Sequence, residues 1–352
     1  MKNGWGQTLT IKVVSDSQCF EKIQTALVSF GMSGRLFHAP FIERHGGFEL
    51  KLILERSKSL SKTKYPKALI VRDFEDVLSN ESIELVIINT PSYLHFEMCK
   101  AVLLAGKNVV VEKPFVVNSV DGEELIELAK EKKLLLTVYH NKRLEGDFLS
   151  IKKMLAENAL GSLESVEINS FRYNPNIGIK KWKEGGQPGG GLLYDIGSHL
   201  IDQALQLFGT PESVTSSIKS QREESLVVDY FKIKLQYSDF KVQLFADFLL
   251  KEEIPSFVIN GSKRSLLKYG KDPQEGALSK DKVDWTRMGV YNEPMQVFDK
   301  VSKKAEEITP ETGVYSHFYE NIYQVIRYGK EPLVSAYEGL QVVKIIEQII
   351  KQ

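Results

Sequence analysis

From Ile23 onward, short continuous apolar runs alternate with stretches whose apolar residues recur every three or four positions. The runs IQTALVSF, FELKLILE, KALIVR, ELVIINT, KNVVVEK and LLLTVYH read as six strands. Between them GRLFHAPFIERHG, residues 73–80, PSYLHFEMCKAVLLAG and NSVDGEELIELAKEKK read as helices. Pro91 and Gly106 frame the third of these, and Asn118 or Ser119 caps the fourth. Buried strands separated by amphipathic helices predict a parallel sheet covered on both faces. Six such units in about 120 residues predict an α/β, doubly wound Rossmann domain for a dinucleotide over residues 22–141.

The rhythm changes after Asn141. GDFLSIKKMLAENALG reads as a helix and LESVEINSFRY as a strand. The glycine-rich stretch KEGGQPGGG then leads into the helix YDIGSHLIDQALQLFG. ESVTSSIKS, LVVDYFKIKLQYS, FKVQLFADFLL and SFVINGSKRSLLKYG follow as strand-like runs, and helices over 313–328 and 335–351 end the chain. Consecutive strands with short turns predict an α+β unit over 142–352, with a large, mostly antiparallel sheet and flanking helices. Its free face needs cover from helices or from another subunit, so a homodimer or homotetramer through that sheet is expected. Residues 1–21 read as a tail or an extra strand; Gly4-Trp5-Gly6 has no strand before it.

Composition narrows the classes. The 352 residues are 42% hydrophobic and 26% charged, as in globular proteins, and 46 basic residues balance 46 acidic ones. That balance gives no electrostatic case for nucleic acid or an anionic membrane. No apolar run approaches the roughly 20 residues of a membrane span. Cys19 and Cys99 do not suggest a pair, which fits a reducing cytoplasm, and the N-terminus lacks the pattern of a signal peptide.

Three places carry chemistry. Ser29-Phe30-Gly31-Met32-Ser33-Gly34 follows the first strand where a dinucleotide loop has G-x-G-x-x-G. Gly31 would let the backbone approach a pyrophosphate, and Gly34 would let helix and strand pack closely. Serine at the first position predicts an altered turn with negative φ and retained binding. A flexible turn is the alternative. Glu55 closes the second strand 21 residues past Gly34, where a carboxylate meets the ribose of NAD; Arg56, Ser57 and Lys58 follow and could hold the 2′-phosphate of NADP. The second place is Glu112-Lys113-Pro114, at the ligand-binding carboxyl edge of a buried strand. A lysine there reaches a cleft or pairs with a surface acid. The third is Asp195 and His199, four residues apart on one helix face after the glycine-rich loop. They could project into a cleft, or serve as an N-cap and a half-buried histidine. No third residue presents itself as a metal ligand.

Together FGMSGRLFHAPFI, NTPSYLH, VVVEKPF, VYHNKR and GGGLLYDIGSHLIDQALQLFG resemble the Gfo/Idh/MocA family of NAD(P)-dependent oxidoreductases, from about residue 23 to the end. YDIGSHLIDQALQLFG, FRYNP and KYGKDPQEGAL are similar to the bacterial branch that contains NADP-dependent scyllo-inositol dehydrogenases, although Gly276 stands where that branch often has an acid. The resemblance implies a dehydrogenase for a secondary alcohol of a cyclitol, sugar or related polyol, with NAD(P) as cofactor and a lean to NADP. Lys113 would bond the reacting oxygen, His199 would accept or return its proton, and Asp195 would orient the substrate or His199. The cofactor would lie against Gly31, Met32, Ser33, Gly34, Glu55, Arg56, Ser57, Thr90, Pro91, His95, Glu112 and Lys113. Tyr139, Asn141, Arg143, Arg172, Tyr173 and Trp182 would line the substrate with Asp195 and His199. The same scaffold also serves NAD-dependent glycosidases, and a non-catalytic nucleotide and sugar sensor is a further alternative.

Overall fold

The computed structural model describes residues 21–178, 181–280 and 282–352. Residues 1–20, read above as a tail or strand, lie outside the described residues.

Strands β1 (Ile23–Leu27), β2 (Phe48–Leu54), β3 (Leu69–Val71), β4 (Leu85–Ile88), β5 (Asn108–Glu112) and β6 (Leu136–Tyr139) form one parallel sheet in the order β3-β2-β1-β4-β5-β6. The order reverses between β1 and β4, so the crevice outside their carboxyl ends is where such sheets take a ligand. The strands are near-continuous apolar runs because both faces are covered. Asn118 caps the helix Ser119–Lys132, its side chain accepting from Asp121 N at 2.9 Å.

The second sheet has eight strands: β7 (Leu163–Phe171), β8 (Ser213–Lys219), β9 (Tyr230–Gln236), β10 (Lys241–Asp247), β11 (Phe257–Gly261), β12 (Arg264–Lys268), β13 (Met295–Asp299) and β14 (Ala305–Ile308). Their order is β14-β13-β12-β11-β7-β10-β9-β8, antiparallel except for the parallel pair β7 and β10. The run SFVINGSKRSLLKYG folds as the hairpin β11–β12. The patterning did not predict β13, β14 or the helix Pro273–Leu278. The segment AEEI of β14 carries little apolar signal and gains its place from pairing with β13.

The closing helices tie the two sheets together. Phe318, Tyr319 and Ile322 of helix Ser316–Tyr328 are buried in the apolar cluster of the first sheet. Helix Ala336–Ile350 gives Leu340 and Val343 to that cluster, and Val342, Ile346 and Ile349 to the cluster of the second sheet. Ser335 and Glu338 form a capping box that fixes its start. Gly339 lets this helix approach β6 closely, because a Cβ there would stand 2.7 Å from Val138 Cγ2. Gly339→Val should therefore destabilise the chain by about 1–3 kcal/mol through overpacking. Urea unfolding checks this, and an unchanged midpoint would contradict the close approach.

Candidate active site

The turn after β1 departs from an ordinary helix start. Residues Gly34–His38 form a wide π-type turn before the helix Ala39–Arg44. Ser29 is absent from the positive-φ residues, as expected for a serine in place of glycine. Its hydroxyl accepts from Gly31 N at 3.3 Å, and its carbonyl accepts from Asn89 Nδ2 at 2.7 Å. Asn89 follows β4, so this bond ties the loops on either side of the switch point. The two glycines differ. A Cβ on Gly34 would stand 2.2 Å from Ser29 O, so protein contacts alone forbid it. A Cβ on Gly31 would meet only Ser29 Oγ, at 3.4 Å, so the surface over Gly31 is open to a ligand. That cradle fits a dinucleotide pyrophosphate held at the loop and helix start.

Beyond β2 the carboxylate of Glu55 is occupied. It accepts from Leu60 N at 2.8 Å, Ser61 N at 2.9 Å and Ser61 Oγ at 2.5 Å. Burial opposes its ionisation, but these bonds, with Arg72 nearby, hold the carboxyl below the ordinary carboxylate range. Glu55 therefore braces the loop that follows it, and both of its carboxylate oxygens already accept bonds from that loop. Arg72 donates to the carbonyls of Glu55 and Lys58 and, at 2.8 Å, to Ser59 Oγ. Arg56, Ser57 and Lys58 stay exposed on this braced loop.

Lys113 leaves β5 for the second unit, and its peptide bond to Pro114 is cis. Its ammonium donates to Asp195 O at 2.6 Å and Asp195 Oδ1 at 2.8 Å. Asp195 lies within another wide turn, Leu193–Gly197, that precedes the helix Ser198–Phe208. In a regular α-helix its carbonyl would be committed to the amide of residue 199. Lys183, which opens the glycine-rich stretch, reaches the same Asp195 Oδ1 at 2.8 Å. Burial works against the charge on Asp195, but the two ammonium groups hold its carboxyl far below the ordinary range. Ser92 Oγ donates to Gly189 O at 3.0 Å and Tyr194 OH donates to Val117 O at 3.1 Å, so the two units are stitched on either side of this pair.

His199 is buried, and burial together with the Lys113 and Lys142 charges holds its imidazole well below the usual histidine range. It is therefore neutral near pH 7 and able to accept a proton. Asp195 also lines a cavity of about 130 Å³ in the second unit. Lys142, Glu145, Arg172, Gln203 and Lys271 share that lining. Lys142 donates to Glu145 Oε1 at 2.7 Å. Burial pushes the Glu145 carboxyl up to about 8 despite that ammonium, with Asp147 and Asp272 adding to the rise.

Other expected contacts have different positions. Tyr139 is buried and donates to Phe37 O at 3.1 Å; it packs at 4.8 Å, centroid to centroid, on Phe318. Arg143 is buried on Asp202, donating from Nε at 2.9 Å and Nη2 at 2.6 Å, with Glu338 3.1 Å away. Neither residue lines the cavity, because each is spent on a packing role. The ring nitrogens of His95 stand 2.9 Å from Pro114 O and 3.0 Å from Thr90 O, so it braces the loops after β4 and β5 from beneath. Glu112 is held by His38, whose other nitrogen meets Tyr319 OH at 2.6 Å. Thr90 and Pro91 lie at the carboxyl end of β4 and Asn141 is buried just past β6. Tyr173 is exposed beneath Lys251, and Trp182 lies under Lys183 at 5.4 Å. Lys183 and His38 were not singled out from the sequence; both lie within quoted stretches, but only their partners reveal their roles. Among the described residues no group of side chains could hold a metal ion, and no helix is long and apolar enough to cross a membrane.

Residues 23–140 match the family described as "Oxidoreductase family, NAD-binding Rossmann fold", and residues 152–352 match its C-terminal alpha/beta domain. The chain belongs to the Gfo/Idh/MocA oxidoreductase family. It is 36% identical to IolW of Bacillus subtilis, a scyllo-inositol 2-dehydrogenase (NADP(+)), over 93% of this chain and 92% of that one. It is 35% identical to the uncharacterized oxidoreductase YdgJ of Escherichia coli, over 93% and 95%. Among solved structures, YvaA of B. subtilis aligns with a TM-score of 0.90 at 34% identity, covering 95% of this chain and 96% of that one. A Bacteroides fragilis chain described as an oxidoreductase aligns at 0.85 with 41% identity, over 94% and 97%. As a Gfo/Idh/MocA member the chain is an NAD(P)-dependent dehydrogenase acting on CH–OH groups of a small molecule.

The raised Glu145 carboxyl makes a stability prediction with a definite sign. A carboxyl of ordinary acidity in the unfolded chain and about 8 when folded binds more protons in the folded state between those values. Its contribution is complete below the unfolded pKa and is lost as pH rises through about 8. Glu145→Gln should flatten the decline in urea midpoint between pH 5 and 8, by about 1–3 kcal/mol across the window. Parallel curves for the two proteins would contradict it.

Proposed function

We propose that the chain oxidises and reduces a secondary alcohol on an uncharged cyclitol, sugar or related polyol, with NADP as the preferred cofactor. The observation that carries this reading is the Lys113–Asp195 pair, formed across the two units beside buried His199, with Asp195 opening onto the cavity of the second unit. When bound, the nicotinamide supplies the hydride acceptor or donor. Lys113 bonds the substrate oxygen and stabilises the negative charge that develops on it. His199 takes the hydroxyl proton during oxidation and returns it during reduction. Asp195, between two ammonium groups, fixes the direction of Lys113. Arg172, Lys142 and Gln203 of the cavity offer hydrogen bonds to the remaining hydroxyls. The name of the IolW relative supports the substrate class and the NADP preference.

The loop after β2 supports NADP on physical grounds as well. Glu55, the group that would prefer a free 2′-hydroxyl, is bonded internally, and Arg56, Ser57 and Lys58 are exposed next to it. We also read the open face of the second sheet as the surface where copies of the chain pair. Half-exposed Tyr230, Phe245, Val258, Leu267 and Phe298 punctuate it. A cytoplasmic location follows from the same reading, since reduced and oxidised nicotinamide pools are found there.

Two measurements check this. Lys113→Ala should lower turnover about 100-fold, the loss of one charged stabiliser, with the dissociation constant of NADPH changed less than about threefold. Turnover equal to the parent on a polyol identified by screening with each nicotinamide would remove Lys113 from the chemistry. Arg56→Ala should weaken NADPH binding about tenfold, or 1.4 kcal/mol, and leave NADH binding within error. Equal weakening of both, read by titration calorimetry, would remove the cofactor preference.

A further inference from the structure

Three buried imidazole nitrogens near the site lack partners. Both ring nitrogens of His140 and Nδ1 of His199 are inaccessible to solvent and make no hydrogen bond. Buried polar atoms are nearly always paired, so three together require an explanation. His140 directly follows β6, and Glu112 of β5 lies opposite Tyr139 in the ladder, so His140 is abreast of Lys113. It faces the helix that carries His199, because its Nδ1 lies 3.8 Å from Asp202 Oδ2. Asp202 is three residues beyond His199, hence on the same helix face. Asp202 is itself fixed by the fork of Arg143.

We propose that His140 is a positioning residue for His199, serving through one bridging water as the hydrogen-bond acceptor for Nδ1–H of His199, while its own N–H points toward Asp202. The proposal rests on the reading of His199 as the proton acceptor. A neutral imidazole has one donor and one acceptor nitrogen, and the Asp202 carboxylate 3.8 Å from His140 Nδ1 favours that ring's proton there, leaving its Nε2 as the acceptor. His140 is kept neutral: burial pushes it down to about 4, Arg143 and Lys113 add to that, and Asp202 and Glu338 oppose it. It therefore has a bare nitrogen to offer. With that acceptor beside it, His199 holds its single proton on Nδ1. Nε2 is left bare toward the cleft, where a base must be.

The proton balance is simple. During oxidation the substrate O–H bond breaks and an N–H bond forms at Nε2, while the carbon-bound hydride leaves with its electron pair to the oxidised nicotinamide of the established reaction. The His199 ring then carries both protons and a positive charge. Its Nδ1–H has an acceptor whose partner is the Asp202 carboxylate. Without His140 the buried cation would have an unpaired donor, and the base would be weaker and of mixed tautomer.

The test uses the full-length chain labelled with ¹⁵N at histidine. In the unliganded parent at neutral pH, ¹⁵N NMR should show His199 as the Nδ1–H tautomer. His140→Phe should transfer a large part of that population to Nε2–H. It should also lower kcat about tenfold and move the acidic limb of the kcat profile about one unit lower, with NADPH affinity unchanged. His140→Asn, which retains an acceptor oxygen, should stay within about threefold of the parent. A merely structural role would lower thermal stability without moving the tautomer or the limb. The proposal is overturned if the parent His199 is mainly Nε2–H, or if folded His140→Phe keeps the parent tautomer and limb. The parent spectrum alone decides if His140→Phe fails to fold. Because the tautomer is read without substrate, it stands apart from any error about the polyol.

Discussion

The bond between Lys113 and Asp195 is the constraint on which the site depends. It joins the carboxyl edge of a parallel sheet to a wide helical turn 82 residues later in the chain. An ammonium on a buried strand end is costly without a counter-charge, and a carboxylate between two ammonium groups is costly to protonate. Each unit therefore supplies what the other requires.

Around that bond several buried polar groups are committed to one another. Arg143 and Asp202 form a buried ion pair, extended by half-exposed Glu338, that anchors the helix of His199 to the loop after β6 and to the last long helix. Such a group adds little net stability compared with apolar packing, but removing one member leaves a buried charge unpaired. His95, and His38 with Glu112 and Tyr319, hold the loops after β4 and β5 in the same way. The cavity of the second unit is lined by what remains, polar side chains such as Lys142, Arg172 and Gln203 among apolar ones such as Phe171 and Leu200.

Much of the fold was legible because local patterning and global topology agree. The apolar blocks of β1, β4, β5 and β6 can be read without knowing their neighbours. β14 cannot, since AEEI acquires its strand state only from β13. The same divide runs through the site. Lys113, Asp195 and His199 stood out because a costly residue occupied a ligand-binding edge or a helix start. Tyr139 and Arg143 also lie at or just past a ligand-binding edge, yet their partners, Phe37 and Asp202, come from distant segments and draw them into the core. Glu55 illustrates the limit most plainly: its spacing matched a ribose contact, but its bonds to Leu60 and Ser61 cannot be read from that spacing.

A crystal structure of the chain with NADPH and a polyol substrate is the most direct test of the central claim. The account predicts Lys113 Nζ and His199 Nε2 both within about 3 Å of one substrate oxygen, with that carbon facing the nicotinamide. A substrate whose nearest oxygen contacts only one of the two nitrogens, or which lies outside the cleft between the units, would contradict it.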